Sequence, residues 1–166
     1  MECFEHNGSS CGAVFICDRR RLLFRPMTAE DIDQVVEIEK QLFSSPWERD
    51  AFEYELEQPC AESYVVVERD RVVAYLLAWA LLDEMHVLNL AVIAEFQHRG
   101  IARRMLEWVI DRVQAQQVKT VHLEVRESNA RAIRLYEKIG FKTVGRRRHY
   151  YEKPTEDALL MTYFIN

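Results

Sequence analysis

The period of hydrophobicity changes at Gly100, and no other feature constrains the fold as strongly. Before it, "MHVLNLAVI" is an apolar, β-branched run of strand length. After it, Ala102, Met105, Leu106, Val109 and Val113 recur at helical spacing and form one apolar stripe. The link "AEFQHRG" therefore joins a strand to a helix, and the helix must lay its stripe on a sheet.

The rest of the chain reads the same way. A short strand opens at Leu22, and Thr28 caps a first helix carrying Ile32, Val35, Val36, Leu42 and Phe43. "SPWERDAFEYEL" predicts a second helix with Ser45 as N-cap, Pro46 at its first position and Glu48 closing a capping box. "SYVVVE", the turn "RDR", "VVAYLLAWALL" and "MHVLNLAVI" predict an antiparallel meander. "TVHLEV" is a strand. "SNARAIRLYEKIGF" is a helix with Ala132, Leu135, Tyr136 and Ile139 on one face and Gly140 just past its end. Two strands near 141–149 and 158–165 complete an α/β fold, a mixed sheet with helices on both faces. Residues 1–21 lack a sustained period and read as a flexible N-terminal extension with at most one strand, at 13–17. The folded domain is expected over 22–166.

Composition narrows the function. A chain of 166 residues suits one domain. Hydrophobic content of 49% against 30% charged, with no apolar run near the roughly 20 residues that cross a bilayer, excludes a membrane span. "AVFIC" is too short for a signal segment and its arginines follow it, which disfavours secretion. Cys3, Cys11, Cys17 and Cys60 match no paired metal spacing and read as reduced thiols of a cytoplasmic protein. A net charge of −5 disfavours nucleic acid and suits a basic peptide partner.

The helix after Gly100 begins with backbone N–H groups that have no intrahelical acceptor, at the positive end of its macrodipole. Phosphate suits such a place: Gly100 carries no Cβ, and Arg99, Arg103 and Arg104 add charge. Taken alone, a glycine there is often only a turn and the arginines only solvated. Gln97-x-x-Gly100-x-Ala102, however, resembles the pyrophosphate loop of the GNAT superfamily of N-acetyltransferases, and the order of elements matches that mixed, mostly antiparallel fold. In that family the loop often opens with arginine and its second small residue is often glycine; Gln97 and Ala102 are accepted variants. The resemblance implies that His98, Arg99, Gly100, Ile101, Ala102 and Arg103 hold the diphosphate of acetyl-CoA. It also implies that the backbone of Leu90, Ala91 and Val92 takes the pantetheine arm, with the Val92 N–H facing the oxyanion, and that Asn129 touches the cofactor. On its own, Asn129 reads as a helix cap.

"LLDEMHVLNLAV", "HLEVRESNARAIRLYEKIGF", "RRRHYYEKPTEDALLM" and "SPW" are similar to stretches of one bacterial branch of that superfamily, which acetylates the N-terminal alanine of a small-subunit ribosomal protein. The similarity covers residues 22–166. Residues 1–21 have no counterpart in compact members, and "VIAEF" replaces the usual Val-Asp-Pro-x-Tyr, which alters only loop geometry.

Acetyl transfer sets its own requirements. An α-amine has a pKa of about 7.7–8.0, so most of it is protonated at neutral pH and must lose a proton before attack. In "VHLEVR", Val121, Leu123 and Val125 share one face of a strand and His122, Glu124 and Arg126 the other. Glu124 is the carboxylate of that run; a lone strand glutamate is ordinarily solvated or paired, but the resemblance makes it the general base. Tyr136, by periodicity a core tyrosine with its hydroxyl at the edge, matches the family's proton donor to the departing thiolate. His122 reads as a satisfied strand histidine, "RRRHYY" as a charged edge strand, Tyr150 and Tyr151 as a border of the peptide site, Phe43 and Trp47 as core, and Asp83 and Glu84 as a solvated turn. The motifs imply acetyl-CoA as co-substrate and no metal. The acceptor expected is a protein α-amine; the alternatives are another protein terminus, a lysine, a small amine, or a non-catalytic CoA-binding module.

Overall fold

The computed structural model describes residues 2–6, 10–17 and 20–165. In chain order the elements are β1 (Glu2–His6), β2 (Ser10–Cys17), β3 (Arg20–Pro26), α1 (Ile32–Leu42), α2 (Arg49–Leu56), β4 (Tyr64–Glu68), β5 (Arg71–Leu81), β6 (Glu84–Val92), α3 (Ile101–Gln114), β7 (Thr120–Arg126), α4 (Ala130–Ile139), β8 (Lys142–Glu152) and β9 (Thr155–Phe164). They form two compact units: Met1–Leu77 with Asn89–Met105, and Ala78–Leu88 with Leu106–Asn166. The boundaries cut through β5, β6 and α3, so neither unit is contiguous in sequence and no linker marks them.

In the first unit β1, β2, β3, β4 and β5 follow one another antiparallel, with Ala13 opposite Phe24, Phe24 opposite Val66 and Tyr64 opposite Leu76. The β4–β5 turn places Arg69 and Asp70 at φ 46° and 67°, the paired left-handed residues of a tight hairpin. Leu22, Phe24, Ile32, Val35, Phe52, Val66, Tyr75 and Phe96 are the buried core of this unit. The α1 entrance is pinned by Asp31, whose carboxylate accepts from the Thr28 N–H at 2.8 Å and from both Arg25 terminal nitrogens at 2.7 Å. Burial works against that anion, but the Arg25 and Thr28 hydrogen bonds prevail and hold its pKa below the ordinary aspartate value.

In the second unit β6 pairs parallel with β7, β7 antiparallel with β9, and β9 antiparallel with β8, so the sheet is mixed and mostly antiparallel, as expected. The β6–β7 ladder runs from Glu84–Thr120 to Val87–Leu123, and beyond Val87 β6 continues to Val92 outside it. Alternation along β7 is complete, with Val121, Leu123 and Val125 buried and the residues between them half-buried. Met85, Leu106, Val109, Val113, Phe141 and Met161 complete this core. Asn129 caps α4, its Oδ1 accepting from the Ala132 N–H at 3.1 Å. Gly140 ends the helix at φ +119°, where an added Cβ would also lie 3.1 Å from the Tyr163 ring.

Three expectations are corrected. The N-terminal segment carries two strands, β1 and β2, because Ala13, Phe15 and Cys17 alternate inward and β2 pairs along β3. Helix α2 starts at Arg49 after Glu48, not at Pro46, since tertiary contacts take the preceding residues: the Trp47 N–H donates to Glu39 at 3.3 Å and its ring meets Phe52 at 5.8 Å. Phe43 leaves α1 in extended conformation and is exposed rather than core. Cys17 and Cys60 are free thiols, while the side chains of Cys3 and Cys11 lie outside the described residues.

Candidate active site

The link between β6 and α3 is a folded structure. After a single 3₁₀ turn at Ala94–Phe96, the Gln97 amide donates back to the Val92 carbonyl at 2.8 Å and ties the loop to the strand end. His98 and Gly100 then take φ of 62° and 77°, which reverses the chain into α3. The Arg104 N–H donates to the Gly100 carbonyl at 3.0 Å as the first intrahelical bond, so the amides of Ile101, Ala102 and Arg103 precede it. A Cβ built on Gly100 would meet no atom of the described residues within 4 Å. Glycine is needed there for its backbone dihedral. These amides and the positive helix end suit the diphosphate of a coenzyme.

Strand β2 and the start of β3 buttress this loop. The Cys17 thiol donates to the Arg99 carbonyl at 3.8 Å, and the Arg104 guanidinium lies 5.4 Å from the Phe15 ring. Arg99 and Arg20 lie 5.4 and 5.0 Å from Phe96, and Arg20 pairs with Glu95 at 3.2 Å.

A buried carboxylate fixes the approach to Leu90. Glu39 is 1% exposed and accepts from the Tyr75 hydroxyl, the Trp47 N–H and the Asn89 amide, the last at 3.1 and 3.2 Å. Asn89 in turn accepts the Leu90 N–H at 2.9 Å. Burial raises the Glu39 pKa, opposed by the Tyr75, Trp47 and Asn89 hydrogen bonds; burial, with the Glu39 charge beside it, pushes Tyr75 up as well.

In the second unit Glu124 is half-buried on β7 and pairs with Arg147 at 2.9 Å. Tyr150 hydrogen-bonds the same carboxylate, which raises the tyrosine's pKa, with burial adding to it. The Arg147 guanidinium covers the Tyr150 ring at 4.8 Å, and Tyr150 meets Tyr151 edge-on at 5.1 Å. Tyr136 is buried, with its ring 5.8 Å from Phe141. Burial, with a contribution from Tyr151, pushes its pKa up to about 12, so the phenol holds its proton at neutral pH. Tyr151 is likewise raised to about 12, by burial and then by the Glu124 charge. Tyr151 thus acts on Tyr136 and is itself acted on by Glu124. His122 has both ring nitrogens occupied, by Thr162 Oγ1 at 3.0 Å and Thr120 Oγ1 at 2.9 Å.

Residues 32–141 match the acetyltransferase (GNAT) family. The chain belongs to that family. A Salmonella typhimurium ribosomal protein bS18-alanine N-acetyltransferase is 36% identical over 144 residues, covering 84% of this chain and 95% of the relative. The crystal structure of the ribosomal-protein-S18-alanine N-acetyltransferase from Escherichia coli superposes with a TM-score of 0.82 at 31% identity, over 87% of this chain and 94% of that one. Arabidopsis thaliana NAA60 in complex with acetyl-CoA shares the fold, with a TM-score of 0.80 at 23% identity over 87% and 99% of the two chains. The protein is therefore a GNAT-fold N-acetyltransferase. No described helix is long and apolar enough to cross a membrane.

In this acetyltransferase the expected residues fall into two sets. Leu90, Ala91 and Val92 end β6, and His98 to Arg103 form the loop and first turn of α3, all in the first unit. Glu124, Asn129 and Tyr136 belong to the second. The Leu90 N–H is already held by Asn89 and the Val92 carbonyl by Gln97. Sequence reasoning did not connect Arg147 or Tyr150 to Glu124. His149 at φ 50° and the register shift between Arg147 and Tyr151 break the alternation of β8, so counting along the strand does not reveal which side chains share a face. "RRRHYY" was the only sign.

Proposed function

We propose that the chain transfers an acetyl group from acetyl-CoA directly to the α-amine of a protein N-terminus, that of the N-terminal alanine of the ribosomal protein bS18, in the cytoplasm. The substrate rests on the relatives, which are 31–37% identical over most of their length and are named for that activity. The chemistry is supported by a half-buried carboxylate, Glu124, held by Arg147 at 2.9 Å, and by a phenol kept protonated by burial, Tyr136.

When bound, acetyl-CoA supplies the thioester carbonyl. The amides of Ile101, Ala102 and Arg103 bind its diphosphate, with Gly100 allowing the approach. The end of β6 orients the acyl arm, and the Val92 N–H is assigned to the acyl oxygen. Glu124 accepts the proton that the attacking amine must lose, with Arg147 and Tyr150 fixing the carboxylate. Tyr136 gives its proton to the departing sulfur. The net charge of −5 favours a basic protein acceptor.

The test mixes the protein with labelled acetyl-CoA and peptides starting with alanine, with other residues, or carrying only lysine amines. The alanine peptide should be the best acceptor. Glu124→Gln should lower acetylation by about a hundredfold while leaving acetyl-CoA affinity nearly unchanged. Equal losses in both would remove Glu124 as base, and preference for lysine would remove the α-amine assignment.

A further inference from the structure

The parallel ladder of β6 and β7 sets two histidines side by side. His86 is the register partner of His122, and their rings stack at 4.9 Å and 28°. Glu84, two residues before His86 and so on the same face of β6, brings its Oε2 to 3.1 Å from His86 Nε2. One ligand atom from each of Glu84, His86 and His122 lies within 4.8 Å of the others. The proposed acetyl transfer uses none of these three side chains.

We propose that Glu84, His86 and His122 form a binding site for a divalent transition-metal ion of the zinc class. Two imidazoles and one carboxylate are the donor set such borderline ions take, and three protein ligands leave a fourth position open. The hydrogen bonding of His122 prepares it for this. With Nδ1 donating to Thr162 Oγ1, Nε2 carries the lone pair, which now receives the Thr120 hydroxyl and would turn to the ion. Between His86 and Glu84 the ion would replace their 3.1 Å hydrogen bond. Zinc bonds of about 2.0–2.2 Å draw tetrahedral ligand atoms to about 3.5 Å apart, closer than the 4.8 Å limit found here. The side chains of His86 and Glu84, about half exposed, are free to make that adjustment.

The test titrates the full chain with zinc in competition with a chromophoric chelator, and with cobalt while recording the visible spectrum. One site per chain is expected, with cobalt d–d bands and no thiolate charge-transfer bands. His86→Ala and His122→Ala should each weaken zinc by about 10–100-fold, and the exposed Glu84→Gln, which leaves the fold intact by circular dichroism, should weaken it in the same direction. Cys60→Ser should have no effect. Absence of zinc binding, affinity unchanged in His86→Ala and Glu84→Gln, or thiolate bands would overturn the site; none of these outcomes bears on acetyl transfer.

Discussion

Replacing Tyr75 with phenylalanine removes one hydroxyl and little volume, and its cost should depend on pH. The hydroxyl donates to Glu39, which among the described residues keeps the Trp47 N–H at 3.3 Å and the Asn89 amide as further donors in a site 1% exposed. A hydrogen bond to a charged group contributes about 1.5–3 kcal/mol, and to a neutral one about 0.5–1.5 kcal/mol. Burial already raises the Glu39 pKa above its unfolded value, so its protonated form is the favoured one in the fold. That contribution is fully present below about pH 4.3, the unfolded value, and is lost as pH rises through the folded value. Because the Tyr75 bond lowers the Glu39 pKa, Tyr75→Phe moves it further up and widens the range over which stability falls. The deficit should therefore be about 1 kcal/mol near pH 4.5 and grow to about 2–3 kcal/mol at pH 8, or about 4–12 °C in Tm for a chain of this size. Urea unfolding at several pH values, with m unchanged, measures it. A deficit below about 0.5 kcal/mol, or one independent of pH, would show that Glu39 is not held as described.

Other expectations are simpler. Gly100→Ala should cost about 1–2 kcal/mol from left-handed backbone strain alone, since the added Cβ meets none of the described residues within 4 Å, and should weaken acetyl-CoA in calorimetry. Asn129→Ala should lose about 1 kcal/mol of stability through the vacated α4 cap, measured by denaturant midpoint. Tyr136→Phe should reduce kcat by about a hundredfold with acetyl-CoA affinity intact. Because burial places Tyr136 at about 12, wild-type kcat should show no alkaline fall centred near pH 10; such a fall, absent from Tyr136→Phe, would contradict that placement.

Where one period ran uninterrupted, the sequence was sufficient. The β7 alternation, the α3 stripe behind Gly100 and the Asn129 and Gly140 ends of α4 all appear as read, because local geometry alone determines them. Long-range contacts were invisible. The start of α2 is decided by Glu39 reaching Trp47, eight residues on, and the β2 strand is decided by pairing with β3. The site shows the same division. Glu124 and Tyr136 were singled out as candidates through the family pattern, whereas Arg147 and Tyr150 reach Glu124 across an irregular strand. Asn89, which binds Glu39 fifty residues away and the next backbone amide, has no sequence signature.

A crystal structure of the chain with coenzyme A tests the central claim most directly. Diphosphate oxygens within about 2.7–3.2 Å of the backbone nitrogens of Ile101, Ala102 or Arg103 are the predicted result. A diphosphate bound elsewhere, with those amides hydrogen-bonded only to solvent, would contradict it.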